Sequence, residues 1–286
     1  MKQNLLQTMM TRMPEFSKGQ RLIAQYIVDH YDRAAYMTAA KLGAVVKVSE
    51  STVVRFADEL GFSGYPEMQR ALQEMARTQL TAAQRVEVAD SLLDKDNILD
   101  KVLLGDADKI RQTLDGIDRP AFYDAVERIV SAKNIYILGI RSSAALADFL
   151  TFNLRMIFDN VRAVEGTSGT EIFEQILNVG PEDVLIAISF PRYSKRTVRA
   201  VEFAHRAGAG VVSISDSAAS PLAPFSDQLL TARSDMASFV DSLVAPLSII
   251  NAMVAAVSMR RHSEVAERLR RLESIWDEYD VYDKNG

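Results

Sequence analysis

The feature that most constrains this chain is an alternation of strand-like runs with helical segments between residues 120 and 231. Five short runs rich in aliphatic and β-branched residues lie there, at 134–138, 160–165, 183–190, 211–215 and 228–231. Such runs are typical of strands buried on both faces of a sheet. The segments between them have helical periodicity, as in residues 194–207, which end just before Gly208. Because strands separated by helices need crossover connections, the pattern predicts a five-stranded parallel sheet covered by helices.

The first 77 residues have only helical patterns. Ser17 and Gln20 have the spacing of a capping box, and an apolar face of helical period follows them. Thr38 and Ser49 are expected to cap two further helices, and Pro66 suits the first turn of the next one. The chain is therefore predicted to be an α plus α/β protein, in which an all-helical domain precedes the parallel sheet.

The rest of the chain is predicted to be helical outside the sheet. Residues 78–118 are polar and periodic, without a cluster of Pro or Gly, and this pattern predicts a helical linker. Two long helices, at about 238–260 and 263–278, are expected to finish the chain. The predicted division is a helical domain at 1–77, a linker at 78–118 and an α/β domain at 119–286. The apolar stretch 243–259 is expected either to contact another subunit or to pack in the core.

The composition excludes several classes of protein. The 286 residues are 48% hydrophobic and 25% charged, as in a folded protein. The absence of cysteine excludes disulfides and thiolate sites, and three scattered histidines do not suggest a metal centre, so no metal or other cofactor is predicted. The uncharged stretch 242–259 is shorter than the roughly 20 residues that span a membrane. A reducing cytoplasm is the expected location.

The charge of the chain is distributed unevenly. Residues 1–77, here called the head, contain ten Lys and Arg against eight Asp and Glu, a net charge of +2. The remaining residues contain 23 against 30, a net charge of −7. A slightly basic head on an acidic body indicates that only the head approaches a polyanion.

The sharpest local signal is the segment 38–61, which has the pattern of a helix-turn-helix. Gly43 provides the small residue where two crossing helices touch, and Val48 provides the apolar residue of the turn. The second helix has an apolar face made of Val53, Phe56, Ala57 and Leu60. Its amino-terminal half and the turn would then face DNA, where Arg, Ser and Thr read base edges and Lys binds phosphate. The candidate DNA-contacting residues are Lys47, Ser49, Ser51, Thr52 and Arg55.

The same pattern also fits an ordinary helical hairpin, in which the Ser and Thr residues are caps and solvated positions. Asp58 and Glu59 favour that alternative, because carboxylates repel phosphate unless they face away from it. A hairpin of that kind would make the head a protein-interaction module.

Two runs in the head resemble the RpiR family of bacterial transcriptional regulators. They are residues 48–56, VSESTVVRF, and residues 59–65, ELGFSGY. The resemblance covers about residues 38–72 and implies a DNA-binding regulator. Gly43 stands where the family more often has Ala, and it is expected to loosen its helix by a fraction of a kcal/mol.

Loops rich in hydroxyl groups follow three of the predicted strands, at residues 139–143, 166–170 and 189–194. The carboxyl ends of parallel strands meet at one edge of a sheet, where ligands of open α/β folds bind. A helix that begins there offers backbone N–H groups to an anion. The candidate ligand-binding residues are Arg141, Ser142, Ser143, Thr167, Ser168, Ser189, Arg192 and Ser194. Serines at such turns are often only helix caps, and each loop keeps that alternative.

The order of these loops resembles the SIS, or sugar isomerase, domain over about residues 120–260. The RpiR family has such a domain behind its head. The resemblance implies a Rossmann-like α/β fold that binds the phosphate of a phosphosugar. It places the first phosphate-binding serine at Ser143, and it begins the family's Ser-x-Ser-Gly-x-Thr run at Ser189.

The chain departs from the SIS pattern at two loops. Pro191, Arg192 and Ser194 stand where the family has Ser, Gly and Thr, and Arg141 replaces a frequent Gly in the first loop. In one account, the two guanidinium groups replace hydroxyl and amide donors around a phosphate or carboxylate. In the other, Pro191 has closed the site and Arg192 forms a structural salt bridge. The first account, an anionic ligand, is favoured.

The functional prediction is a regulator and not an enzyme. A sugar isomerase needs a base near the sugar, and Glu171, Glu174 and His205 belong to no paired constellation, so no catalytic residue is predicted. The chain is expected to repress carbohydrate catabolism genes by binding double-stranded operator DNA, under the control of a phosphosugar or sugar-acid effector. Because one helix-turn-helix reads only a few base pairs, a homodimer or homotetramer is expected. The alternative is a sugar-phosphate isomerase with a helical accessory domain.

Overall fold

The computed structural model of the chain describes residues 5–92, 97–166, 168–236 and 238–282. It has two compact units, Met1–Lys101 with Met236–Val240, and Val102–Asp235 with Asp241–Gly286. The first unit is helical and the second contains a five-stranded parallel sheet with helices, so the predicted fold class is confirmed. Within the residues described, every helix is too short or too polar to cross a lipid bilayer.

Three helices of the first unit begin at the predicted caps. Its helices are α1 (Leu5–Arg12), α2 (Lys18–Asp29), α3 (Tyr31–Ala34), α4 (Ala39–Val46), α5 (Glu50–Glu59), α6 (Tyr65–Gln79) and α7 (Ala82–Leu92). Ser17 and Gln20 form the capping box of α2. The Thr38 hydroxyl accepts a hydrogen bond from the backbone N–H of Lys41 at the start of α4. Pro66 lies in the first turn of α6, where its missing N–H is not needed.

The core of the first unit includes the apolar face of α5. Val53, Phe56 and Ala57 are fully buried, as the sequence pattern predicts. The Phe56 ring meets the Phe16 ring edge to face, with 5.2 Å between centroids. α5 ends close to the predicted residue, because Gly61 adopts a φ of 88°, a left-handed conformation that closes a helix and suits glycine.

The second unit is built on strands β1 (Ile135–Gly139), β2 (Val161–Val164), β3 (Val184–Ile188), β4 (Gly210–Ser215) and β5 (Gln228–Thr231). All five were predicted, with ends that shift by two residues at most. They lie in the order β2-β1-β3-β4-β5 and every neighbouring pair is parallel. The helices that follow α7 are α8 (Ile98–Gly116), α9 (Arg119–Ser131), α10 (Ala144–Arg155), α11 (Gly169–Gln175), α12 (Lys195–Arg206), α13 (Val244–Arg260) and α14 (His262–Glu278).

The sheet is covered on both faces because successive strand residues point to opposite sides. Ile135 and Ile137 pack in a cluster with residues of α9, α10 and α13. Tyr136 and Leu138 pack in a second cluster with residues of α11 and α12. The sheet is therefore the middle layer of three, which explains why its central strand, β3, is apolar and buried at every position.

The predicted linker contains α7 and α8. From Val102 onward α8 clusters with the second unit, where Thr113 accepts a 2.9 Å hydrogen bond from the backbone N–H of Arg233. The predicted domain boundary at residue 77 falls near the end of α6, and the boundary at 118 falls at Asp118, which caps α9. Both boundaries stay predictions.

The prediction that a helix begins near residue 238 was wrong, because α13 begins at Val244. Pro246 lacks an N–H and its ring conflicts with the carbonyl four residues earlier, so a helix tolerates it only in the first turn. The buried face of α13, including Ile249, Ile250 and Met253, lies in the core cluster. Of the two alternatives for this stretch, core packing is the one that the structure supports.

Gly43 is the point at which α4 and the turn before α5 come closest. A Cβ atom added to Gly43 would lie 2.8 Å from the carbonyl oxygen of Val48 and 3.4 Å from the backbone nitrogen of Glu50. Backbone atoms cannot move aside as a flexible side chain can. Glycine lowers helix propensity by about 1 kcal/mol relative to alanine, but here it is what lets the turn approach the helix.

Gly43→Ala is expected to lower the free energy of unfolding, because overpacking costs about 1–3 kcal/mol and exceeds the gain in helix propensity. Gly105→Ala in α8 is the matched control, since its Cβ would meet only the end of the Lys109 side chain at 3.6 Å. The control is expected to raise the free energy of unfolding by about 0.5–1 kcal/mol. Urea unfolding followed by circular dichroism measures both. Equal stabilisation by the two changes would contradict the packing described for Gly43.

Candidate functional site

The predicted DNA-contacting residues lie on the exposed turn and first half of α5. Lys47, Ser49, Ser51 and Arg55 are exposed, and Thr52 is half-buried. The Ser49 hydroxyl accepts a hydrogen bond from the backbone N–H of Thr52, so Ser49 caps α5 as predicted. Its oxygen also lies 2.9 Å from the Ser51 hydroxyl and 2.8 Å from the Thr52 hydroxyl. Three hydroxyl groups therefore surround the positive end of α5, where phosphate binds favourably.

The Arg55 side chain lies along its own helix and is available to a partner. Its Nε donates a 3.3 Å hydrogen bond to the carbonyl oxygen of Ser51, and among the residues described no carboxylate forms an ion pair with it. A guanidinium held this way on the outer face of α5 matches the position from which Arg contacts guanine.

One of the two carboxylates that argue against DNA binding is neutralised within the head. Arg12 of α1 donates 2.8 Å hydrogen bonds to the Glu59 carboxylate and to the Glu59 carbonyl oxygen at the end of α5. Arg12 also lies over the Phe16 ring, 5.7 Å from its centroid. The pair weakens the repulsion of phosphate by Glu59, whereas Asp58 remains exposed.

Hydrogen bonds of the ELGFSGY run at residues 59–65 hold the start of α6 in place within the head. The backbone N–H and the hydroxyl of Ser63 donate to Glu67 at 2.6 and 2.7 Å, and these bonds lower the pKa of Glu67. The Tyr65 hydroxyl donates a 2.7 Å hydrogen bond to the carbonyl oxygen of Met37, and burial raises the pKa of Tyr65 to about 12. This run therefore has a structural role.

In the second unit, the register of the sheet brings the three hydroxyl-rich loops to one edge. Gly139, the last residue of β1, pairs with Ile188, the last residue of β3. Leu138 of β1 pairs with Val164, the last residue of β2. The loops that begin at residues 140, 165 and 189 therefore leave neighbouring strands at the same level, as the candidate ligand site requires.

Some serines of these loops cap the helices that follow, and others make no capping hydrogen bond. Ser168 forms a capping box with Glu171 at the start of α11, and the Ser194 hydroxyl accepts a hydrogen bond from the backbone N–H of Arg196 at the start of α12. Ser143 is buried at the start of α10 but makes no capping hydrogen bond. Ser142 is exposed, and Thr167 lies outside the described residues.

The loop after β3 is tied to the end of β4. Ser189 is buried, and its carbonyl oxygen accepts a 2.8 Å hydrogen bond from the Ser215 hydroxyl. The Tyr193 hydroxyl donates a 2.5 Å hydrogen bond to the Asp216 carboxylate. Sequence reasoning missed this pair, because nothing in the pattern relates a tyrosine to a carboxylate 23 residues away. It holds the backbone around Arg192 in place.

Arg141 and Arg192 both have left-handed backbones. Their φ angles are 59° and 66°, in the region that the family's glycines reach without strain. A non-glycine residue there costs roughly 1–2 kcal/mol. Of the four non-glycine residues with positive φ in the described chain, three are cations predicted to bind, namely Lys47, Arg141 and Arg192. Strain of this kind concentrates at functional sites.

Both arginine side chains are also exposed, and within the described residues neither forms an ion pair. Lys195 and Arg196 follow in the first turn of α12, which has no acidic residue. Cations are unfavourable at the positive end of a helix. An anion bound there would reduce the repulsion between these side chains and the helix dipole. The sequence analysis did not include Lys195 among the candidate ligand-binding residues, although Lys195 directly follows the candidate Ser194.

Two family matches cover most of the chain. Residues 3–79 match the helix-turn-helix domain of the rpiR family, and residues 128–256 match the SIS domain. The chain belongs to the RpiR family. It is a DNA-binding transcriptional regulator with an SIS domain, as the HexR regulators that resemble it along nearly their whole length also indicate.

Relatives of this RpiR regulator match either nearly its whole length or its SIS domain. The HTH-type transcriptional regulator HexR of Pseudomonas aeruginosa is 29% identical over 284 residues, which cover 94% of each chain. The sugar isomerase domain of an RpiR transcription factor from Sphaerobacter thermophilus is 28% identical, with a TM-score of 0.59 over 62% of this chain and 99% of that one. Vibrio vulnificus NanR, complexed with ManNAc-6P, has the same fold, with 22% identity and a TM-score of 0.60 over 96% and 99% of the two chains.

The candidate bases of this RpiR regulator are not assembled into one site. The Glu171 carboxylate accepts a hydrogen bond from the backbone N–H of Ser168 and so belongs to the cap of α11. Glu174 is exposed on the same helix. His205 lies in the last turn of α12, whose twelve residues place it roughly 15 Å from the first turn. The loops of the sheet edge lie at the other end of that helix.

Arg192→Gly is expected to leave the free energy of unfolding unchanged or to raise it by up to about 1 kcal/mol, because glycine adopts a positive φ without strain. The entropy that glycine adds to the unfolded chain limits the gain. Arg199→Gly, on the exposed side of α12, is the matched control and is expected to lose about 1 kcal/mol. Urea unfolding compares the two variants. An equal loss for both would mean that the backbone at Arg192 is not strained.

Proposed function

We propose that this RpiR regulator represses carbohydrate catabolism genes and that a phosphosugar, or a related anionic sugar derivative, controls its affinity for its operator. The observation that carries the proposal is the pair of strained arginines at the sheet edge, Arg141 and Arg192. They retain a backbone conformation that costs free energy, and they present charge without a carboxylate partner among the described residues. The protein acts in the cytoplasm, where its DNA is.

On the DNA side, α5 is the recognition helix. Arg55, Ser51 and Thr52 reach base edges in the major groove, and Lys47 and Ser49 hold phosphates at the start of the helix. The exposure of the turn, the hydroxyl cluster around Ser49 and the neutralised Glu59 all support this assignment.

On the effector side, the phosphate lies against the loop after β3 and the first turn of α12. Ser143 and Ser189 donate from the two strand ends, and Arg192 and Lys195 supply positive charge. Arg141, Ser142, Thr167, Ser168 and Ser194 complete the predicted set, in which Ser168 and Ser194 also cap helices. The ManNAc-6P bound to NanR supports a phosphosugar as the class of effector.

The α/β domain senses its ligand without converting it. A sugar isomerase moves a proton between neighbouring carbons with a base in hydrogen-bond reach. The Glu171 carboxylate is engaged in a helix cap, and His205 lies at the far end of α12. These placements favour a receptor over the alternative of an isomerase.

The regulator functions as a homodimer or homotetramer. A single helix-turn-helix covers too few base pairs for useful affinity. α8 has an exposed apolar stripe at heptad spacing, made of Leu103, Ala107, Ile110 and Leu114. Its buried residues, Lys109 and Thr113, lie about 100° around the helix from that stripe. Such a stripe is typical of a helix that pairs with its own copy.

Arg55→Ala is expected to weaken binding to a specific operator by about 1–3 kcal/mol, because one bidentate contact with a base is lost. Arg33→Ala is the control, since Arg33 is a cation of the head that pairs with Glu87 at 3.2 Å. Gel-shift titration at several salt concentrations with duplexes from the neighbouring genes measures both. Operator binding that survives Arg55→Ala unchanged would show that α5 is not the recognition helix.

Addition of the effector is expected to change operator affinity by about 5- to 150-fold, the usual range of coupling between two sites. In Arg192→Gly the change is expected to shrink, while binding to DNA without effector stays as in the wild type. Fluorescence anisotropy with a labelled operator and a panel of sugar phosphates measures the coupling. The same sugar phosphates are expected to show no aldose–ketose interconversion, and turnover abolished by Glu171→Gln would favour the isomerase instead.

A further inference from the structure

The chain between β5 and α13 leaves the second unit and returns to it. Met236–Val240 cluster with the first unit, whereas Asp235 and Asp241 on either side cluster with the second. We call residues 236–240 the inserted segment. The backbone N–H of Ser242 donates a 3.2 Å hydrogen bond to the carbonyl oxygen of Asp235, so the two ends of the segment are joined at its base.

The inserted segment packs against the core of the first unit. Met236 is half-buried and lies among the apolar residues that pack on this core. Its sulfur accepts a 3.6 Å hydrogen bond from the Tyr36 hydroxyl. Arg85 of α7, which is only 3% exposed, donates a 3.4 Å hydrogen bond to the carbonyl oxygen of Phe239. A piece of the chain from beyond β5 is therefore part of the core that carries α5.

The base of the inserted segment is held by α8 within the second unit. On one side, the backbone N–H of Arg233 donates to the Thr113 hydroxyl. On the other side, the Ser242 hydroxyl donates a 2.7 Å hydrogen bond to the Asp106 carboxylate, with which Lys109 pairs at 3.3 Å. Ser242 and Lys109 are both buried, and hydrogen bonds to charged groups are stronger than neutral ones. Both ends of the segment are thus fixed close to the points where the chain changes units.

Ser215, the last residue of β4, connects this base to the loop after β3. Its carbonyl oxygen accepts a 2.8 Å hydrogen bond from the backbone N–H of Ala232, which directly follows β5. Its hydroxyl donates the 2.8 Å hydrogen bond to the carbonyl oxygen of Ser189 described above. Ser215 is fully buried, where hydrogen bonds are stronger than in water. A shift of the loop after β3 would therefore reach the base of the inserted segment through a single residue.

We propose that the inserted segment couples the effector site to the DNA-binding head. The proposal rests on the effector site proposed above, and it names the residues through which the ligand and the operator affect each other. Coupling between distant sites is carried by packed side chains and hydrogen bonds that connect them. The inserted segment provides both, because its base is bonded beside Ser215 and Met236 packs in the core that carries α5. Met236 and Ser242 are positioning residues, since they act on DNA binding through the head.

The test measures how sugar phosphates change operator binding by the full-length chain. Fluorescence anisotropy with a labelled duplex from the neighbouring genes is recorded without ligand and with inorganic phosphate, glucose 6-phosphate, fructose 6-phosphate, ribose 5-phosphate or N-acetylmannosamine 6-phosphate. At least one sugar phosphate is expected to change the operator affinity of the wild type by about 5- to 150-fold. Met236→Ala and Ser242→Ala are each expected to reduce this change by about 2- to 30-fold, while both variants still bind the duplex and the sugar phosphate.

Matched controls separate coupling from a loss of stability. Met13→Ala truncates a half-buried methionine that packs on the same core but comes from the head itself. It is expected to lose stability in urea as Met236→Ala does, yet to keep the response to sugar phosphate. Met236→Leu preserves side-chain volume and is expected to restore the response. Ser248→Ala removes a hydroxyl that bonds only within α13, to the carbonyl oxygen of Val244, and is expected to respond like the wild type.

The outcomes separate this proposal from the proposed function. If the wild type responds to a sugar phosphate and either Met236→Ala or Ser242→Ala keeps the full response, the inserted segment is not the coupling element, while the effector function stands. Loss of the response in Met13→Ala as well would attribute it to a loosened core and would also overturn the proposal. Ser242→Ala changes no residue of the head, so it decides the result if Met236→Ala does not fold. If no sugar phosphate changes the operator affinity of the wild type, the effector function itself fails, and this proposal with it.

Discussion

The proposed effector site depends on the register of three neighbouring strands. Gly139 pairs with Ile188 and Leu138 with Val164, so three loops leave the sheet at one level. Neighbouring strands lie about 4.8 Å apart, which lets side chains from separate loops contact one small molecule. The glycine that ends β1 then lets α10 start against the sheet. The proposed anion site and the cavity between α10 and the ends of β1 and β2 both follow from that arrangement.

The two units place cations on a left-handed backbone in the same way. Lys47 lies in the turn before α5, and Arg141 and Arg192 lie in two loops of the sheet edge. Each position would be less strained with glycine, and each side chain is exposed. Free energy of folding is thus given up at the positions where we propose that charge meets DNA or an anionic ligand. Because both arginines are exposed and form no ion pair among the described residues, the departures from the SIS pattern favour the account in which the two guanidinium groups bind an anion.

Local patterns predicted the elements of the fold well. The capping box at Ser17, the caps at Thr38 and Ser49 and the five strands all depend on residues close together in the sequence. The predicted start of α13 was six residues too early. The prediction overlooked that Pro246 must lie in the first turn of a helix, so the helix cannot begin much before it. The ion pair of Arg12 with Glu59 joins residues 47 apart, and no local pattern contains it.

The amino-acid sequence by itself determined the order of the elements, the residues of the helix-turn-helix and the loops that carry hydroxyl and guanidinium groups, since each follows from periodicity, capping and motif. Only the tertiary structure decided that the carboxylate of Glu59 is paired with Arg12 and that Thr151 is buried beside an open cavity. The physical reason is that a hydrogen-bond partner or a void is a property of atoms brought together by folding. Such atoms come from elements far apart in the chain, and sequence spacing carries no record of their distance.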